Sequence, residues 1–353
     1  MKQTGYLKWA IENTKTVWWH DSAEPSELEQ GIGRGAIGAT TNPYLSHLAL
    51  SLNKDAWAEE INKVLSENPE PERKAEELMS IVIKHAAQQL EPQYEKSAGR
   101  MGYVCAQVNP ARAVDRESML SMARRFHSWA PNIAVKLPAT AAGLDVLEDC
   151  TAEGITATLT ISYTVPQVIA IAESHHRGLR RAKSRTYFED KSRCGKPGKC
   201  FAVIMIGRLD DYLRDVAHDS KADISESDIQ QAGLAVSKRA YSIYKQRNYE
   251  AMLIIAALRG TYHMTELAGA EVIMSIAVPY QEMLLSEQLA YEQRIDHPIP
   301  ADVIERLSAL PEFVRAYEPD GMNPNDFITY GVTQKTLSQF YECGWKLLEN
   351  FIT

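Results

Sequence analysis

Eight short apolar runs, separated mostly by helix-length amphipathic stretches, constrain this chain more than any other feature. They are "TVWWHDS" (16–22), "GAIGATT" (35–41), "GYVCAQV" (102–108), "NIAVKLP" (132–138), "ATLTISY" (157–163), "FAVIMIG" (201–207), "AMLIIAA" (251–257) and "VIMSIAV" (272–278). Runs of this length, rich in Val and Ile or bounded by turn residues, read as strands buried on both faces. Helical patterns fill most of the gaps, among them "ESMLSMARRFHSW", "AGLDVLEDCTAEG" and "DIQQAGLAVSKRAYSIYKQR". Strand alternating with helix implies a parallel sheet, and eight repeats predict an α/β fold of the closed (β/α)8 TIM-barrel kind. The second run, small-residue rich, and the eighth carry the weakest signals. Past about residue 290 the pattern is helical only, in "PADVIERLSALPEF" and "TQKTLSQFYECGWKLLENF". The expectation is one barrel domain over 1–353, with 291–353 a C-terminal helical cap.

Composition narrows the classes of function. The chain has 353 residues, 45% of them hydrophobic, enough for a large core, and a net charge of −8. An acidic chain is not drawn to phosphate backbones or anionic lipid, so neither nucleic acid nor membrane is expected as a partner. The N-terminal "MKQTGYLKWAIENTK" lacks a signal peptide's apolar core and no stretch approaches a membrane span, which predicts a soluble cytoplasmic protein. Five scattered cysteines, an odd number, read as reduced thiols.

Barrels place their chemistry where strands end and βα loops begin. Asp21, Asn42, Gln107, Lys136, Thr160, Arg208 and Arg259 stand at seven such ends. Lys136 is the most pointed, a lysine among Ile133, Val135 and Leu137 with no acid nearby in sequence. Burial disfavours the ammonium form and lowers the pKa, which makes the amine a nucleophile for a carbonyl. A lysine at a strand tip can equally snorkel to water or pair with a carboxylate such as Asp21. The strand alone leaves both readings open. Each of the other residues likewise has an ordinary role available, in a helix cap, a turn or a surface ion pair.

Several ordered motifs resemble the transaldolase family. "HDSAEPSELEQGIGRGAIGATTNPYL" (20–45) is similar to its opening, and "VKLPATAAGLDVLEDCTAEGITATLT" (135–160) to its Schiff-base segment. "IGRLDDY" (206–212) and "AALRG" (256–260) are similar to its phosphate-site segments. The resemblance runs from about 16 to 290. It implies a Schiff base on Lys136 and a general acid/base at Asp21. It also implies sugar hydroxyls held by Asn42, a water positioned by Thr160 and Gln107, and substrate phosphate bound by Arg208 and Arg259. The activity implied is transfer of a dihydroxyacetone unit from a ketose, a sugar phosphate, to an aldehyde. That activity belongs to carbohydrate metabolism, in the pentose phosphate pathway, and needs no cofactor or metal. A homo-oligomer is compatible with it.

The pattern is broken in places. Gln107 stands where transaldolases carry glutamate, and there the chain resembles the related fructose-6-phosphate aldolases. Met205, a further substrate-site position, replaces those aldolases' tyrosine and sides with transaldolases, which carry phenylalanine. Thr158 stands for an asparagine, while Val203 and Ala257 are less polar than is usual. An aldolase releasing free dihydroxyacetone, and a non-catalytic barrel that binds sugar phosphates, therefore remain as alternatives. So does an anionic group other than phosphate. Residues 175–200 form a strongly basic insertion, expected as a solvated loop or subunit contact on the face away from the site. Its His175, His176, Cys194 and Cys200 have no recognised zinc spacing. His20 is expected to pack in the core, and "GIGRG" (31–35) leads into a strand, unlike a phosphate-binding loop.

Overall fold

The computed structural model describes residues 5–188 and 196–352, so Cys194 and the middle of the basic insertion lie outside the described residues. Helix α1 (Tyr6–Asn13) leads in. The barrel begins with β1 (Val17–His20), α2 (Pro25–Gly33) and β2 (Gly38–Ala39), and three helices follow, α3 (Pro43–Leu52), α4 (Ala58–Glu67) and α5 (Pro71–Lys96). Next come β3 (Tyr103–Gln107), α6 (Arg116–His127), β4 (Ile133–Pro138), α7 (Ala141–Glu153), β5 (Ala157–Thr160) and α8 (Val165–Phe188). The second half holds β6 (Cys200–Met205), α9 (Ile206–Ser220), α10 (Glu226–Arg247), β7 (Met252–Ala256), α11 (Tyr262–Thr265), β8 (Ile273–Ile276) and α12 (Val278–Ser286). The eight strands close in sequence order, β8 pairing with β1, and every pairing is parallel. The predicted barrel is therefore observed, with all eight runs supplying strands.

The weak second run forms a strand of two residues, and its glycine is sterically required. A Cβ on Gly38 would stand 2.6 Å from the Trp19 ring. Trp19 meets Phe201 edge-on at 4.8 Å, and Phe201 meets Tyr103 at 5.4 Å, so three aromatic side chains fill the lower barrel. Strand alternation then lifts every second residue toward the mouth. Above Tyr103 come Cys105 and Gln107, above Phe201 come Val203 and Met205, and above Trp19 comes Asp21.

Side-chain caps start α6 and α7: Asp115 accepts from Ser118 N at 3.0 Å, and Thr140 from Gly143 N at 3.1 Å. Helix α8 runs to Phe188, so the first half of the basic insertion continues a helix instead of forming a loop. The segment "PADVIERLSALPEF" forms two helices, α13 (Ala301–Leu307) and α14 (Pro311–Tyr317). Pro311 has no N–H to continue the first and opens the second. Helix α15 (Gly331–Phe340), a π turn over Tyr341–Trp345 and α16 (Lys346–Glu349) close the described chain. No helix among the described residues is long and apolar enough to cross a membrane.

Candidate active site

Register assembles the site. Gln107 and Thr158 are the direct strand partners of Lys136 on either side, so these three side chains enter the barrel at one level. Lys136 is 7% exposed, and its Nζ donates to the Thr41 carbonyl at 2.9 Å. No carboxylate among the described residues hydrogen-bonds it. Burial holds its pKa below the ordinary lysine value, and nearby Arg208 pushes the same way; Cys105 and Asp21 oppose. The snorkelling and ion-paired alternatives both fail against this geometry, since the amine lies inside the barrel on a neutral acceptor.

Asp21 follows β1, anchored by its N–H on the Ile276 carbonyl at 3.1 Å. Thr40 Oγ1 donates to its carboxylate at 2.7 Å, and Ser275 Oγ lies 2.5 Å from that same hydroxyl. Burial raises the Asp21 pKa, opposed by the Thr40 hydrogen bond and by the charge of Lys136. Gln107 is 2% exposed, and its Oε1 has no partner among the described residues. A buried amide oxygen left free at this level is an acceptor for a substrate hydroxyl or a water. Thr158 accepts from Cys105 Sγ at 3.5 Å, while Thr160 Oγ1 faces Met205 Sδ at 3.8 Å.

Asn42 caps α3, its Oδ1 accepting from Leu45 N at 3.0 Å. Its Nδ2 has no acceptor among the described residues and remains a donor. Arg208 is the third residue of α9, half-buried, with Nη1 donating to Gln339 Oε1 at 2.7 Å and its guanidinium 5.2 Å from the Phe340 ring. Arg259 is different. It is exposed, and both Nε and Nη2 donate to Asp211 Oδ2, at 3.0 and 2.7 Å.

Several contributors are not apparent from the strand-end pattern. Thr41 supplies its carbonyl to the lysine and its hydroxyl to the Cys105 carbonyl at 3.0 Å, tying β2 to β3. Thr40 and Ser275 hold Asp21. The C-terminal segment spans the mouth: Gln339 and Phe340 meet Arg208, and Gly344 comes so close to the α3 corner that a Cβ would stand 2.7 Å from Tyr44 N. Only "TTNP" offered a hint, through its two threonines.

His20 faces away from Asp21, as alternation requires. Its Nδ1 lies 2.9 Å from Gln281 Nε2, and burial takes its pKa down to about 4. His175 is buried with Nε2 3.1 Å from the Gly198 carbonyl, His176 is exposed and Cys200 lies buried in β6. No three metal-ligating side chains converge among the described residues.

Residues 18–347 match the family model described as Transaldolase/Fructose-6-phosphate aldolase. A protein named transaldolase from Thiobacillus denitrificans is 31% identical over 229 residues, 64% of this chain and 62% of that one. A probable transaldolase from Dehalococcoides mccartyi is 28% identical over 199 residues, 56% and 68% of the two chains. The match to the Neisseria gonorrhoeae transaldolase is 28% over 160 residues, 45% of each chain. The chain thus spans about half to two thirds of the curated relatives it matches. With a family model covering nearly the whole barrel and cap, and a lysine of this kind at the barrel's centre, the chain belongs to the transaldolase/fructose-6-phosphate aldolase family.

Proposed function

We propose that this protein is a Schiff-base enzyme that moves a dihydroxyacetone unit from a ketose to an aldehyde acceptor. The observation that carries the reading is Lys136, a buried amine resting on a neutral carbonyl inside the barrel, with a hydrogen-bonded carboxylate, Asp21, in electrostatic reach. Its lowered pKa increases the share of neutral amine near pH 7, the form that attacks a carbonyl.

In this reading Lys136 Nζ adds to the ketose C2, a C–N bond forms, and the carbonyl oxygen leaves as water to give an iminium. Asp21 takes the C4 hydroxyl proton while the C3–C4 bond breaks and its electron pair moves toward the iminium nitrogen. The aldehyde fragment leaves, and a three-carbon enamine remains on Lys136. Attack of that enamine on an acceptor aldehyde, then hydrolysis, completes a transfer. Thr40 and Ser275 fix the carboxylate oxygens for that proton. Gln107 Oε1 can orient the water used in formation and hydrolysis, and Thr160 stands at the same mouth. Neither Gln107 nor Met205 can take up or release a proton near neutral pH, which leaves Asp21 as the proton-transfer group. The Asn42 Nδ2 suits a hydroxyl of the three-carbon unit.

Borohydride reduction with a panel of ketoses, followed by peptide mass spectrometry, tests the reading. A reduced adduct is expected on Lys136, and its absence with every ketose rejects the mechanism. Asp21→Asn is expected to retain the adduct while cleavage falls by about 10²–10⁴-fold, the usual weight of a positioned acid/base; equal loss of both would assign Asp21 a structural role. The free Gln107 oxygen also keeps the aldolase alternative open. Stoichiometric free dihydroxyacetone without an acceptor would favour it over transfer.

A further inference from the structure

Within the Schiff-base reading above, we infer that Gln167 is a positioning residue: it holds the turn after β5 in a left-handed backbone and so sets the Thr160 hydroxyl for the steps in which water leaves and re-enters at Lys136. The first sign is strain. Ile161, directly after β5, has φ 59°. Of the other non-glycine residues with positive φ among the described residues, Asn68, Lys221 and Asn248 sit at helix C-caps, and Ala98 and Ala257 carry the smallest side chain. Ile161 alone is β-branched, the kind of side chain that tolerates this region least. Strain of that kind persists where the surroundings over-determine the backbone.

Gln167 supplies those surroundings. It lies in the first turn of α8, fully buried, and its side chain turns back onto the loop. Nε2 donates to the Ile161 carbonyl at 3.1 Å, while Oε1 accepts from the Tyr163 N–H at 2.9 Å and from the Thr164 hydroxyl at 3.1 Å. The Gln167 N–H donates to Thr164 Oγ1 at 3.2 Å, an ordinary helix start. In a Thr-x-x-Gln capping box the glutamine side chain would meet the N–H of Thr164 itself. Here it passes that group and reaches residues 163 and 161, so capping does not account for it. Ser162 ties the loop to β6, its Oγ donating to the Val203 carbonyl at 2.5 Å and its carbonyl accepting from Met205 N at 2.9 Å. On the other side the Ala139 N–H donates to the Thr160 carbonyl at 2.7 Å. Thr160 is thus fixed between β4 and β6. Among the described residues its buried hydroxyl meets the Met205 thioether alone, at 3.8 Å, a weak acceptor that leaves the hydroxyl available to a water.

A Lys136 ammonium and a ketone give an iminium and water, so two protons pass from nitrogen to the departing oxygen, and hydrolysis returns them. The Thr160 hydroxyl, donor and acceptor at once, orients the water that carries them without itself gaining or losing charge. A group in that position speeds adduct formation and hydrolysis by the same factor and leaves their equilibrium where it was. A site loosened as a whole also binds the ketose less well. That difference separates positioning from a structural role.

The test follows borohydride trapping on Lys136 over time, and against concentration at equilibrium, with D-fructose 6-phosphate and D-fructose. Gln167→Met, similar in length but without the side-chain hydrogen bonds, is expected to slow adduct formation roughly tenfold while the half-labelling concentration moves by less than about twofold; misplacing a group by about 1 Å costs up to about 10²-fold. Thr160→Val is expected to slow formation likewise, and adding Gln167→Met to it to cost less than about twofold more, because residues that act through one another are not additive. Gln167→Glu keeps both acceptor bonds and loses the donor to Ile161, the helix head and its two donors holding it ionised at pH 8. It decides the question if the methionine variant does not fold: slower formation at an unchanged half-labelling concentration supports the inference, and the wild-type rate overturns it. The inference is overturned alone if the wild type is labelled and folded Gln167→Met is labelled at the same rate. It is also overturned if the half-labelling concentration rises in step with the loss of rate, or if the effects at 160 and 167 multiply in full. No adduct on wild-type Lys136 overturns the Schiff-base reading and this inference with it.

Discussion

Lys136 and Asp21 are held in opposite senses by the same interior. Burial lowers the lysine and raises the aspartate, so each is pushed toward its neutral form, and each limits the shift of the other through its charge. That arrangement has a stability signature. Because the folded-state pKa of Lys136 lies below its unfolded value near 10.5, the native state binds fewer protons than the unfolded state between those two pH values. Wild-type stability contributed by this group therefore rises with pH across that window and is flat below it. Lys136→Met removes the buried amine and should raise stability by about 1 kcal/mol at pH 7, with the advantage shrinking toward pH 10. Urea midpoints of both proteins over that range decide it; an advantage that grows with pH would contradict the burial argument. The residue scale is also where sequence falls short. The chain shows that Lys136 has apolar neighbours, but not that Thr41 supplies the carbonyl it rests on, 95 residues away in sequence.

At the scale of elements, the β6–α9 corner is a tight junction near the site. A Cβ on Gly207 would stand 2.4 Å from both the Ala257 carbonyl oxygen and Arg259 Cγ. The corner can close only on a glycine, which brings the head of α9, with Arg208, against Arg259 at the β7 exit. Gly207→Ala is expected to cost about 1–3 kcal/mol by overpacking, and to weaken trapping on Lys136 by anionic ketoses more than by a neutral one. Thermal melts and the labelling curves measure the two effects separately; an unchanged melt would remove the steric argument. Elements were largely legible in sequence because their signals are local. The eight apolar runs and the helical patterns between them are read from neighbouring residues, while the break at Pro311 inside "PADVIERLSALPEF", read as one helical stretch, was not. The errors lie where local signals compete. The basic, polar 175–188 reads as a loop, yet it is helical because His175, Leu179 and Ala182 on its inner face are buried.

At the scale of the whole molecule, the C-terminal segment and the barrel share one packed interior. Phe340, Trp345 and Leu348 are buried with the barrel's own residues, and Tyr163 at the mouth donates to the Val332 carbonyl at 3.4 Å. The cap should therefore not unfold ahead of the barrel. A single transition is expected, with tryptophan fluorescence, from Trp345 in the cap and Trp18 and Trp19 in the barrel, coinciding with far-UV circular dichroism. Two separated transitions would make the cap an independent unit. Sequence by itself determined the barrel, its strand order, and which lysine lies in it, because hydrophobic period and strand length are properties of neighbouring residues. Only the tertiary structure decided what surrounds that lysine and what each mouth arginine meets. Strand register, the Asp211 clasp on Arg259 and the Gln339 contact on Arg208 join residues 22 to 131 positions apart. Such contacts are set by barrel closure and by the cap's return across the mouth, and no local pattern in the chain encodes them.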